Sequence, residues 1–156
     1  MSDRRLHWFE DFVPGTTVTA GTISFDEAEI IAFARRYDPQ PFHIDPVAAA
    51  GSFYGGIIAS GWHTFSKIIR TITDYTLGHD GCPGFIVSPG FEDLRWIKPV
   101  RPGDVLTVTI EVISATASET RPDRGLIKQR FSAANATGEV VCSVLGKAFI
   151  GKRGQQ

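Results

Sequence analysis

Cysteine is scarce in this chain of 156 residues, which holds two. Cys82 stands beside a Pro-Gly turn and Cys142 inside an apolar run. Without CxxC spacing they build neither a disulfide framework nor a metal site, and both read as structural thiols. An excess of one charge is also lacking: 16 Lys and Arg face 17 Asp and Glu. Bulk electrostatics therefore recruits no nucleic acid, and an anionic ligand must be met by local groups. No apolar run approaches the roughly 18 residues that a membrane span needs, and residues 1–10 are charged and aromatic where a signal peptide is apolar. The expectation is a cytoplasmic protein with no membrane contact. Repeats and low-complexity tracts are missing too. With 42% hydrophobic and 21% charged residues, the composition fits one globular domain spanning 1–156, long enough for an ordinary core.

The patterns that are present change period along the chain. Residues 7–14 mix aromatic and acidic side chains and end in a Pro-Gly turn, an irregular arm. Residues 16–23 are rich in Thr, Val and Ile and predict a strand. Ser24 or Asp26 can cap a helix whose buried face carries Ile30, Ile31, Phe33 and Ala34 and which runs to Tyr37. Asp45-Pro46 reads as the cap and first residue of a short helical turn stopped at Gly51. The longest helix begins near Ser60-Gly61. Trp62, Phe65, Ile68, Ile69, Ile72 and Tyr75 recur along it at helical spacing, and Gly78 is its expected left-handed stop.

Residues 85–96 predict an extended segment bent or bulged at Pro89-Gly90. Leu106, Val108, Ile110 and Val112 alternate with polar residues as a half-buried strand does. Residues 125–133 alternate again, with Ile127, Phe131 and Ala133 opposed to Lys128, Arg130 and Ser132. Residues 140–150 are apolar on both faces, like a central strand, and the polar tail 151–156 is expected to fray. One strand, a helical block and four strands make an α+β order, an antiparallel sheet with the long helix on one face.

Chemistry concentrates between Tyr37 and Pro46. Pro39 and Pro41 fix their own φ and push Asp38 and Gln40 toward extended backbone, so the helix before them must end. The reading is of a stiff, non-helical loop carrying an acid and an imidazole, Asp38 and His43. Fully extended at about 3.1 Å per residue, the loop would hold their backbones roughly 15 Å apart. Both can serve one water only if it bends, and a bend is expected, because proton transfer needs both groups within hydrogen-bond reach. An Asp before Pro is also an ordinary turn starter, and a single loop His an ordinary structural residue.

Asp38, Pro41 and His43, followed by Ala49, resemble the D-x-N-P-x-H motif of the MaoC-like (R)-specific enoyl-CoA hydratases and dehydratases, with the same spacing. The run from Lys98 through Pro99 and Val100 to Gly103 and Asp104 resembles the family's K-P-V-x-x-G-D connection. Gln40 stands where the family usually has Asn, and Arg36 and Tyr37 where it has a small residue and Gly. The resemblance implies a hotdog fold, a curved antiparallel sheet wrapped around a long central helix, in a homodimer or dimer of dimers whose ligand tunnel lies between subunits.

It also implies that Asp38 and His43 activate one water for addition to a trans-2-enoyl thioester, or for the reverse dehydration. Gly61 matches the glycine whose main-chain N–H stabilises the thioester oxygen. A free N–H at a helix start suits that task physically. Gln40 is expected to orient the loop or the His43 ring, and His63 is a candidate to line the substrate pocket. No cofactor or metal is implied, since coenzyme A belongs to the substrate. Arg95, Lys98 and Arg101 are candidates to meet its phosphates, while His7 and His79 read as surface residues. Phe42, Trp62 and Phe65 are bulky enough to shorten the tunnel. The partners implied are acyl-CoA or acyl carrier protein thioesters. The alternatives are a hotdog thioesterase, a carrier-protein dehydratase and a non-catalytic acyl-thioester binding subunit.

Overall fold

A 3-10 turn at Phe9–Asp11 precedes strand β1 (Thr17–Ser24) and four helices, α1 (Glu27–Tyr37), α2 (Pro41–Ile44), α3 (Pro46–Ala50) and α4 (Gly61–Leu77). Strands β2 (Phe85–Trp96), β3 (Val105–Ala117), β4 (Arg124–Ala134) and β5 (Val140–Gly151) follow in this computed structural model, which describes residues 5–78 and 81–154. Every pairing is antiparallel and the sheet order is β1-β3-β4-β5-β2. The edges are therefore β1 and β2.

Helix α4 touches both of them. The Thr71 methyl lies 3.0 Å from where a Cβ on Gly21 of β1 would stand, and the Phe65 ring meets Phe91 of β2 at 5.3 Å. Four gaps of about 4.8 Å would put the edges of a flat sheet about 19 Å apart, whereas a helix with its side chains is about 10 Å across. The sheet must curl around α4, which is the hotdog arrangement and an α+β fold. The alternation in β3 and β4 is what lets it do so. Leu106, Val108 and Ile110 of β3 and Ile127 and Ala133 of β4 are buried against Ile68 of α4. Register shifts between Val87 and Gly90 and between Glu92 and Arg95 bend β2, as its Pro-Gly pair predicted. No helix among the described residues is long and apolar enough to cross a membrane.

Four local expectations change. The loop between α1 and α3 is partly helical: Gln40 is an extended N-cap with Pro41 at the first position of α2. Proline costs nothing there, because the N–H it lacks has no intrahelical partner. Gly78 is extended, with φ −65° and ψ −177°, so α4 does not end in a left-handed residue. Gly151 is buried at the end of β5 and does not fray, its N–H donating to the Gly84 carbonyl at 2.7 Å. His7 is half-buried, since its carbonyl accepts from the Gly84 N–H and the Cys82 thiol, both at 3.0 Å. His79 and the last two residues of the tail lie outside the described residues. Both thiols are buried, which pushes each up to about 11.

Candidate active site

Asp38 is the C-cap of α1, its N–H donating to the Ala34 carbonyl at 2.8 Å. From there the chain folds back on itself within five residues. The Gln40 N–H reaches the Asp38 carbonyl at 2.8 Å, and the His43 N–H the Gln40 carbonyl at 2.9 Å. The bend brings His43 Nε2 to 3.4 Å from Asp38 Oδ2. His43 is buried, and its Nδ1 lies 2.7 Å from the Ile58 carbonyl. A carbonyl only accepts, so Nδ1 carries the proton and the Nε2 lone pair is left to face the carboxylate and the cleft.

The carboxylate is fixed from two further sides. Gln40 Nε2 donates to Oδ1 at 2.9 Å, and Ser60 Oγ donates to Oδ2 at 2.7 Å. Burial alone would push the Asp38 carboxyl up, but the hydrogen bonds from Gln40 and Ser60, with the electrostatic pull of His43 added when that ring is protonated, hold it below its ordinary value of 3.8. A depressed folded value means that Asp38 stabilises the fold fully above the ordinary value, and that this stabilisation is lost as pH falls through the lower folded one. Wild type is therefore expected to lose more stability below about pH 4 than Asp38→Asn does. Denaturant midpoints measured across the acid range check this, and parallel acid limbs contradict it.

Ser60 was read from the sequence only as part of a helix start. It is fully buried, and the oxygen that donates to Asp38 accepts the Trp62 N–H at 3.3 Å, capping α4. One hydroxyl thus ties the acid to the mouth of the long helix. Gly61 follows it as the first helical residue, where an N–H has no intrahelical partner, and its N–H makes no hydrogen bond among the described residues. The second motif sets this mouth in place. The Val100 carbonyl accepts from the Ala59 N–H at 2.8 Å, and Gly103, with φ +89°, closes the turn beyond it.

Asp38, Gln40, His43 and Gly61 line one cleft of about 520 Å³, with Phe42, Tyr54, Trp62 and Trp96 among its aromatic walls. The Trp96 indole lies directly over Gly61. A Cβ at position 61 would stand 2.3 Å from its Cε2 and 2.6 Å from its Nε1. Glycine is required there by close approach and not by a special φ.

His63 does not reach the cleft. Two residues beyond Gly61 is about 200° around a helix, and the ring is buried on the far side, stacked 4.7 Å from Phe33 with Nε2 3.5 Å from Glu29 Oε1. Its burial outweighs the pull of Glu29 and lowers its proton affinity. Gln40 holds the carboxylate and not the imidazole ring. Of the three phosphate candidates, Lys98 lines the cleft, paired with Glu139, whereas Arg95 pairs with Asp93 and Arg101 donates to the Tyr54 carbonyl. Phe42 and Trp62 wall the cleft, and Phe65 lies one turn deeper along α4.

Residues 11–128 match the family model described as MaoC like domain. The chain is 37% identical to the MaoC-like dehydratase from Rhodospirillum rubrum, with a TM-score of 0.82 and 94% and 97% of the two chains covered. It is 29% identical over 126 residues to Protein MaoC from Klebsiella aerogenes, covering 78% of this chain but 36% of that one. The R-hydratase PhaJ1 from Pseudomonas aeruginosa shares the fold, at 24% identity and a TM-score of 0.72 over 94% of this chain and 86% of that one.

Proposed function

The chain belongs to the MaoC like domain family, and on that premise we propose that it is a hydro-lyase. It adds water across C2=C3 of a trans-2-enoyl thioester, or removes water from the 3-hydroxyacyl thioester in reverse. The observation that supports this reading is the 3.4 Å approach of His43 Nε2 to Asp38 Oδ2 in a cleft that also carries Gly61.

The reacting water lies beside the pair, within hydrogen-bond reach of both side chains. His43 Nε2 takes one proton as the water oxygen bonds to C3, and the thioester oxygen gains enolate charge beside the Gly61 N–H. That donor and the α4 dipole are in place before the charge arrives, so little reorganisation is needed. The imidazolium, stabilised by ionised Asp38, then gives its proton to C2. One water is consumed and both side chains return to their starting states. The reaction uses an acid-base pair and no cofactor.

The acyl chain follows α4 inward. Gly61, Phe65, Ile69 and Ile72 lie on one face of that helix at spacings of three and four; Gly61 lines the cleft, and Ile69 and Ile72 line an apolar cavity beside its second half. A second copy of the chain is the partner. Edge strand β2 is 12 residues long and exposes Ile86, Val87 and Phe91, and Phe53, Trp96 and Ile97 are exposed near the cleft. An unpaired edge with apolar side chains is a template for strand pairing.

The test is a panel of enoyl thioesters of graded length, on coenzyme A and on a carrier protein, assayed for loss of the conjugated double bond and for free thiol. Loss of conjugation without thiol, giving one 3-hydroxy enantiomer, is expected. Thiol release assigns a thioesterase, and binding without turnover assigns a non-catalytic subunit.

A further inference from the structure

The apolar cavity has a volume of about 290 Å³, and its walls include Ile69 and Ile72 of α4, Phe91 of β2, Phe131 of β4 and Ile150 of β5. The ring of Phe65 on α4, one turn beyond Gly61, meets the Phe91 ring of the cavity wall at 5.3 Å. Gln129 breaks the apolar pattern. It sits on the inward row of β4 between Ile127 and Phe131, opposite Val112 on β3 and Gly146 on β5. It is only 8% exposed, yet it lines the cavity.

The Gln129 side-chain amide makes no hydrogen bond among the described residues, and it is not sealed among the inaccessible polar atoms. Across the strand pair at Gly146, a Cβ would stand 2.6 Å from the Phe131 ring and 3.3 Å from Phe91, so both rings pack on bare backbone opposite Gln129. An amide this deeply buried with no protein partner among the described residues needs water or a ligand in the cavity to bond to, whereas leucine would fill an apolar cavity without needing either. Such a group is accounted for by a ligand that bonds to it.

Building on the hydro-lyase reading, we infer that Gln129 determines specificity, selecting thioesters whose acyl chain carries a neutral oxygen function, a hydroxyl or a carbonyl, beyond the reacting double bond. The amide both donates and accepts, which suits either group. It carries no charge, and the one cation lining the cavity among the described residues, Lys147, is paired with Glu92. A carboxylate would be buried there without a countercharge. Hydroxyls of Thr73 and Ser88 at the rim are exposed to solvent, Tyr75 and Thr76 are half-buried, and Gln129 is the buried amide of the wall.

The test uses pairs of coenzyme A thioesters equal in chain length, with and without a distal hydroxyl. Wild type is expected to favour the hydroxylated enoyl thioester by at least about tenfold in kcat/KM, and Gln129→Leu and Gln129→Met to abolish the preference. Calorimetry with the saturated pair, which cannot react, separates this inference from the reaction itself. Tighter binding of the hydroxylated member by wild type but not by Gln129→Leu, with no turnover of any enoyl thioester, sinks the hydro-lyase reading and leaves this one standing. Equal affinities in wild type, a preference that Gln129→Leu retains, or no binding of either thioester overturns it.

Discussion

Asp38→Asn and His43→Ala are each expected to lower the hydration of crotonyl-coenzyme A by at least about a hundredfold, the lower bound for a positioned acid or base. Asparagine keeps the shape of the aspartate but brings N–H donors to a site built from donors. Ser60 and Gln40 already point theirs at the carboxylate, and an amide N–H turned toward His43 Nε2 would occupy the lone pair that takes the proton. Alanine at position 43 removes that lone pair outright. It also strips the Ile58 carbonyl of its donor, a buried loss of about 1–3 kcal/mol. His43→Gln, which retains a donor, therefore belongs beside it, and denaturant midpoints should accompany the rates. Because the two groups act on one water, the double variant should be little worse than either single one. A single variant within tenfold of wild type contradicts the assignment.

Gly61→Ala should cost about a hundredfold or more in kcat, although its side chain is one methyl group and its N–H survives. The added Cβ would lie 2.3 Å from the Trp96 ring, far inside contact distance. Either the indole swings away or the first turn of α4 shifts. The first loses the edge contact between Trp96 and Trp62 at 5.0 Å, and the second moves the N–H that faces the thioester oxygen. Overpacking of this kind typically destabilises by about 1–3 kcal/mol. Trp96→Ala removes the obstacle, so Gly61→Ala/Trp96→Ala should recover part of both the activity and the stability that Gly61→Ala loses. That coupling is the signature to measure. Strictly additive effects, or a Gly61→Ala enzyme with wild-type turnover, would separate Gly61 from the reaction.

Much of the fold was legible because its elements announce their period. The alternation of Leu106, Val108, Ile110 and Val112 could belong only to a strand with one buried face, and the apolar stripe from Trp62 to Tyr75 only to a helix. The prolines around Asp38 did end α1 and did force a bend. What they concealed was α2, because a proline at the first position of a helix looks like any other helix breaker. The pairing of Ser60 with Asp38 spans 22 residues and exists only once α4 is docked, so no local pattern carries it. The clue available was a small hydroxyl residue just before the helix glycine. His63 was drawn toward the pocket by closeness in sequence, whereas helical rotation turns it to Phe33 and Glu29. Gln129 passed unnoticed inside a strand whose other inward residues are apolar.

The most direct measurement follows oxygen. Wild-type protein incubated with 3-hydroxybutyryl-coenzyme A in water enriched in oxygen-18 should exchange the C3 hydroxyl oxygen of one enantiomer with solvent while the thioester stays intact. Label in a free carboxylate, or no label at C3 of either enantiomer, would contradict the claim that Asp38 and His43 move water on and off that carbon.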